Sequence, residues 1–123
     1  MKTNPVGWFE IYVQDIDRAR AFYESVFQLK LQKLGGLELE MWAFPSAPDR
    51  WGAGGTLVKY AGVPSGGNSV MVYFSCEDCA VEEARVAKSG GRIQRKKTPI
   101  GEYGFISLAV DTEGNMFGLH SMR

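Results

Sequence analysis

A chain of 123 residues is long enough for one compact domain with a modest core and too short for two ordinary ones. Apolar residues make up 45% and charged residues 23%, and Lys plus Arg balance Asp plus Glu at 14 each, so no global charge field points to nucleic acid, an anionic membrane or an acidic partner. No stretch approaches the roughly 18 apolar residues of a membrane span, and the opening MKTNPVGWFEI lacks the apolar run of a secretory leader. The expected compartment is therefore the cytoplasm, where thiols stay reduced.

Taken in order, WFEIYV (8–13) alternates like a half-buried strand. DIDRARAFYESVF (15–27) carries Ala19, Phe22, Tyr23, Val26 and Phe27 as one helical stripe, with Asp15 or Asp17 to cap its start. Three short strand-like runs follow: LKLQKL (29–34), LELEMWAFP (37–45) and TLVKY (56–60). The Gly- and Ser-rich AGVPSGGNS (61–69) reads as a linker. VMVYFS (70–75) is the next strand. EDCAVEEARVAKSGG (77–91) is a second helix, with Ala80, Val81, Ala84 and Ala87 as its expected stripe, Asp78 as cap and Gly90 at its end. RIQRKK (92–97), GFISLAV (104–110) and MFGLHS (116–121) complete the strands. The order is βαβββ twice. The expected fold class is α+β with paired βαβββ modules, at about 1–62 and about 70–123, joined by a linker at about 62–69 in a single domain.

Successive strand residues face opposite sides. Phe9, Ile11 and Val13 should meet the first helix, which leaves Trp8, Glu10 and Tyr12 on the other face. By the same parity Val72, Phe74 and Cys76 face the second helix and Met71, Tyr73 and Ser75 the other side. In the last strand Phe117 and Leu119 go inward, leaving Met116, Gly118 and His120 opposite. A face of aromatics with a carboxylate, a hydroxyl and the only histidine has the character of a small-molecule cavity. Glu10 reads as a general base or ligand-orienting group, or else as a carboxylate bonded across the sheet. His120 reads as an acid, base or donor, or else as a structural histidine held by backbone. Trp8, Tyr12 and Tyr73 supply an aromatic wall, for a ligand or for a protein contact. Lys59 has the strand parity to reach the cavity but lies near a strand end, and RIQRKK reads as a solvated edge.

Cys76 and Cys79 form a CxxC at a strand-to-helix junction. A zinc site needs four ligands, and no second pair supplies the rest. Cys79 lies where a helix dipole favours thiolate, but Cys76 falls on the packing face, so both are expected to stay free and unreactive.

WFEIYVQDIDRARAFYESVF, GGTLVKY and TPIGEYGFISLAVDTEGNMFGLHS together resemble the vicinal oxygen chelate superfamily of glyoxalase I, bleomycin-resistance proteins and extradiol dioxygenases. The likeness is to its small bacterial members, related to lactoylglutathione lyase. It implies sheets curled into an open, partly closed β-barrel around a cavity with helices outside, and a homodimer. It also implies four metal ligands, at positions that fall here on Trp8, Leu57, Met71 (or Ser69) and Gly118. None of these is a useful ligand for a divalent metal. No cofactor and no metal ligand is therefore expected, although a displaced divalent site using Glu10 and His120 stays open. The resemblance thus implies a protein that binds a small organic molecule, with Trp8, Tyr12, Leu57, Met71, Tyr73, Ser75 and Gly118 lining the site and Glu10 and His120 as its reactive groups. The alternatives are a metal-dependent lyase or isomerase of glyoxalase I type with Glu10 as base, and a vestigial structural module.

Overall fold

Strand alternation and helical periodicity translate into ordered elements in the computed structural model, which describes residues 4–35 and 39–123. They run β1 (Trp8–Tyr12), α1 (Ile16–Phe27), β2 (Gln32–Lys33), β3 (Glu40–Ala43), β4 (Gly54–Lys59), β5 (Tyr73–Ser75), α2 (Cys79–Val86), β6 (Arg92–Pro99), β7 (Phe105–Val110) and β8 (Met116–Ser121). Residues 37 and 38 of the strand expected at 37–45 lie outside the described residues, as does Gly36 of the turn before it. Among the described residues no helix is long and apolar enough to cross a membrane.

The elements form two four-stranded sheets of matching order, β1-β4-β3-β2 and β5-β8-β7-β6. In each, the strand before the helix lies parallel to the last strand of its βαβββ set, and the other pairs are antiparallel. The architecture is the expected α+β arrangement of two βαβββ units. The sheets stay separate: β1 and β5 are edge strands, and no ladder joins them among the described residues. β5 is shorter than expected, because Val70–Val72 fall outside the strand.

The first helix forms as its sequence dictates. Asp15 is the N-cap, with extended backbone and a carboxylate accepting from Arg18 N. Ile16, Ala19, Phe22, Tyr23 and Val26 are buried. Their aromatic members hold both sheets. The Tyr23 ring lies 5.6 Å from Phe44 on one side and 5.8 Å from Phe74 and 5.6 Å from Phe117 on the other. Phe27 lies against Phe74 at 4.5 Å, its ring tilted by 32°. Each such ring contributes about 1.5–3 kcal/mol by leaving water, so this cluster dominates the core.

The second helix departs from expectation. Asp78 caps it, accepting from Ala80 N, and the 3-10 turn after it ends on Gly90 in the left-handed region. Its inward face, however, is Cys79 and Val86, while Val81 is half exposed and Ala84 and Ala87 are open to solvent. The correction has a physical reason. Glu83 Oε1 accepts from Lys97 N (2.7 Å) and Ser107 Oγ (3.1 Å), so a carboxylate can turn toward the sheet at no cost in unmet hydrogen bonds.

The turn DTEGN (111–115) ties the two units together. Glu113 has no exposed side-chain surface, and its Oε1 accepts from Gln14 N, Asp15 N and Arg18 Nη2, each at 2.9 Å. Its Oε2 accepts from Arg18 Nε at 2.6 Å and Thr112 Oγ1 at 2.9 Å. The carboxylate therefore sits at the N-terminal end of α1, on the N–H groups of the N-cap Asp15 and the residue before it, where the helix dipole favours negative charge. Burial works to raise the Glu113 carboxyl. The Arg18 guanidinium, the two N–H groups and the Thr112 hydroxyl outweigh it and hold the carboxyl down at about 2. Beside it, Asp111 accepts from the Tyr23 hydroxyl (2.6 Å) and from Glu113 N and Asn115 N. Its carboxyl is pushed up by burial, against the pull of those donors. Asn115 Nδ2 donates to the Tyr12 carbonyl and so crosses from the second sheet to the edge of the first.

Candidate functional site

Pairing register fixes which side chains share the faces turned away from the helices. In the first sheet Trp8 pairs with Gly54, Glu10 with Thr56 and Tyr12 with Val58. Trp8, Glu10 and Tyr12 thus lie on one face, as their parity implies, while Ile11 and Phe9 join the core. In the second sheet Tyr73 pairs with Gly118 and Ser75 with His120, and Phe117 and Leu119 turn inward. Trp8 and Tyr73 are each 47% exposed, so both faces present aromatic surface to solvent.

Leu57 is not on this face. It pairs with Ile11, is fully buried and belongs to the core with α1. Lys59, two residues on, shares that parity and is exposed at the strand end. The open-face residue of β4 is Thr56. Its register with Glu10 matches that of Gly118 with Tyr73, so Thr56 and Gly118 are equivalent in the two units. Thr56 is fully buried, and its Oγ1 has no hydrogen-bond partner among the described residues. Strand β4 is buried on both faces, so alternation within TLVKY carries no phase.

Two cavities open along β1. One, of about 300 Å³, lies between β1 and the segment entering β5; Glu10, Tyr12, Asn68, Ser69, Met116 and Phe117 are among its walls. Glu10 accepts from the Tyr12 hydroxyl at 2.8 Å, and this bond and the negative charge of Glu10 raise the phenol's pKa. The other, of about 990 Å³, lies between β1 and the β3–β4 connection, with Trp8, Arg50 and Trp51 in its lining. Sequence reasoning missed this cleft, because its wall is an irregular segment with no period to read.

The second-sheet candidates line neither cavity. His120 Nε2 is 2.6 Å from the Tyr103 carbonyl, in a 3-10 turn before β7, which matches the backbone-held reading of a lone histidine. Glu10 and His120 therefore stand on different sheets, with no described cavity lined by both. Met71 is half buried and outside both cavities, and Ser75 is exposed. Gly118 leaves room for the Tyr73 ring: a Cβ there would run into it.

These observations also test a metal. Trp8, Thr56, Met71 and Gly118 offer neither imidazole nor carboxylate. The Tyr73 ring covers the last of these positions. Among the described residues no three His, Cys, Asp or Glu side chains gather into a metal-binding group. The donor set does not fit a catalytic divalent cation, which needs about three protein ligands. The cysteines add no ligand chemistry. Both are free, Cys79 is fully buried, and burial, helped by the charge of Glu82, pushes the Cys76 thiol up to about 12.

The family model described as the glyoxalase/bleomycin resistance protein/dioxygenase superfamily matches residues 6–119. No curated protein sequence matches significantly. Among solved structures the chain is similar to the hypothetical protein SA1046 from S. aureus (TM-score 0.74, 15% identity, covering 97% of this chain and 95% of that one). It is similar to glyoxalase I from Zea mays (0.71, 22%, 93% of this chain), of which it spans only 43%. It is also similar to TnmS3, an antibiotic binding protein from Streptomyces sp. CB03234 (0.69, 23%, 98% of each chain).

Proposed function

Since the chain belongs to the glyoxalase/bleomycin resistance protein/dioxygenase superfamily, we propose that it binds a small organic molecule on the open face of β1, without the metal that many of its relatives use. The observation that carries this reading is the row Trp8, Glu10, Tyr12. It puts two aromatic faces and a carboxylate on one strand, and that strand borders both cavities. A largely apolar wall with a few directed polar groups holds and orients a ligand by burying its surface. Similarity to an antibiotic binding protein along the full length of both chains supports binding as the activity. Tyr73, Ser75 and Met71 extend the aromatic and polar surface on the second sheet, with Gly118 making room for the Tyr73 ring.

The reading includes a homodimer, as the resemblance to the family implies. The free thiols suit a reducing compartment such as the cytoplasm. Glu10 acts as an orienting acceptor, with Tyr12 as its donor. Thermal-shift screening of a broad library of organic molecules tests this. Hits should stabilise the protein and weaken in Trp8→Ala and Tyr12→Ala. Stoichiometric nickel or zinc in the purified protein, with glyoxalase turnover lost in Glu10→Gln, would overturn it in favour of a metal-dependent lyase. No hit from the library would favour a structural module.

A further inference from the structure

We propose that the cleft between β1 and the β3–β4 connection clamps planar aromatic anions, with Trp8 and Trp51 as stacking faces and Arg50 as countercharge. This rests on the reading of the Trp8 face as a ligand site and adds the class of ligand.

Tryptophan in this chain is concentrated at the cleft. Trp51 is 83% exposed and Trp8 47%, and both line it. The third, Trp42, is part-buried with the Arg20 guanidinium 3.4 Å over its ring, so it is already occupied. Two open indoles facing one space of about 990 Å³ offer large, rigid stacking surface that costs little entropy to order. The segment that carries Trp51 is itself constrained. Phe44 N donates to Gly55 O at 2.9 Å, Arg50 N closes a turn on Ala47 O at 3.1 Å, and Pro45 and Pro48 restrict the backbone between. Space beside Trp8 is kept by Gly54, where a Cβ would press Ser46 Oγ at 3.0 Å and the indole at 3.3 Å.

Charge selects the ligand. Arg50 is the one charged side chain among the cleft's lining residues and makes no ion pair among the described residues. Asp49, its neighbour in sequence, is not part of the lining. A guanidinium is planar and weakly hydrated, so it can pair with a carboxylate, sulfonate or phosphate while lying against an aromatic plane. Glu10, two residues from Trp8 on the same face, belongs to the smaller cavity. It repels an anionic group and leaves Arg50 as the only favourable end. The ligand class that meets both demands is a flat aromatic ring system bearing one acidic group.

The test uses 2-naphthalenesulfonate, with 2-naphthalenemethanol and a 2-naphthyl trimethylammonium salt as neutral and cationic controls. The three indole N–H signals are followed by NMR and affinities by calorimetry. The sulfonate should shift the Trp8 and Trp51 signals and leave Trp42 in place. Arg50→Gln should weaken the sulfonate at least about threefold, the scale of an exposed ion pair, and leave the alcohol unchanged. Trp51→Ala should weaken both about tenfold. Both substituted residues are solvent-exposed, and unchanged thermal melts will confirm that the variants fold. An unmoved Trp51 signal at millimolar sulfonate, equal effects of Arg50→Gln on sulfonate and alcohol, or tighter binding of the cation would each overturn the clamp. Library hits that depend on Trp8 and Tyr12 but ignore Trp51 would sink the clamp and leave the wider reading standing. No sulfonate binding together with no library hit would sink both.

Discussion

Replacing Glu113 by Gln removes one charge from a site that five donors surround, and the cost can be worked from the structure. The folded carboxyl sits at about 2 against an ordinary 4.5, a difference of about 2.5 units. At about 1.36 kcal/mol per unit this is at most about 3.4 kcal/mol. Arg18 is half exposed while Glu113 is covered, so screening of the guanidinium trims the figure to about 2–3 kcal/mol. The amide would also turn a donor toward either the Arg18 fork or the N–H groups at the N-terminal end of α1. Urea unfolding at neutral pH should therefore show Glu113→Gln destabilised by about 2–3 kcal/mol. The sign of the pH dependence follows from a depressed folded pKa. The stabilisation is fully present above about 4.5 and is lost as pH falls toward 2, so the gap between wild type and variant should close over that window. Asp111, raised by burial, works in the opposite sense and blunts the acid slope of both proteins alike. A gap under about 0.5 kcal/mol at neutral pH would refute the reasoning. So would a gap that is the same at pH 3 as at pH 7.

Tyr23→Phe removes the hydroxyl that donates to Asp111 at 2.6 Å and leaves a buried carboxylate short of one partner; urea unfolding should report a loss of about 1.5–3 kcal/mol. Gly118→Glu drives a side chain into the Tyr73 ring and should cost about 1–3 kcal/mol, read as a lower melting temperature that Tyr73→Ala in the same chain partly restores. An unshifted single variant would mean that the ring lies elsewhere. For the cysteines, a thiol at about 12 in place of 9.0 carries roughly a thousandfold less thiolate. Reaction with a disulfide reagent near pH 8 should be at least about a hundredfold slower in native than in unfolded protein, and a Cys76–Cys79 disulfide in the purified protein would contradict it.

The fold was legible where side chains are large and periodic. Phe22, Tyr23, Val26 and Phe27 announce α1 because aromatics at helical spacing have only one face to bury. In α2 and the turn after it the small residues Ala80, Ala84 and Ala87 mark no face, and the inward one is set by Glu83 finding Ser107 and Lys97 far along the chain. Leu57, expected from the resemblance to line the site, is a core residue for a related reason. Thr56, Leu57 and Val58 are all fully buried, and only pairing with β1 fixes their phase. Of the candidate site, the row Trp8, Glu10, Tyr12 was readable from alternation. Trp51 and Arg50 were not, since they lie on an aperiodic connection. The role of Glu113 was hidden as well, because its partners Gln14, Asp15 and Arg18 are nearly a hundred residues away in the chain.

Phe9 and Phe44 come from the first βαβββ unit and Phe74 and Phe117 from the second, yet all four touch the same helix or each other. Neither sheet keeps a complete apolar layer when the other leaves. An opening that lifts α1 uncovers both at once, so the chain has no stable half to fall back on. Native-state hydrogen exchange should accordingly give the innermost amides of β4 and β8 the same opening free energy, equal to that of global unfolding. Two structural repeats would then behave as one cooperative unit, and damage at the rim of either would be felt across the whole molecule.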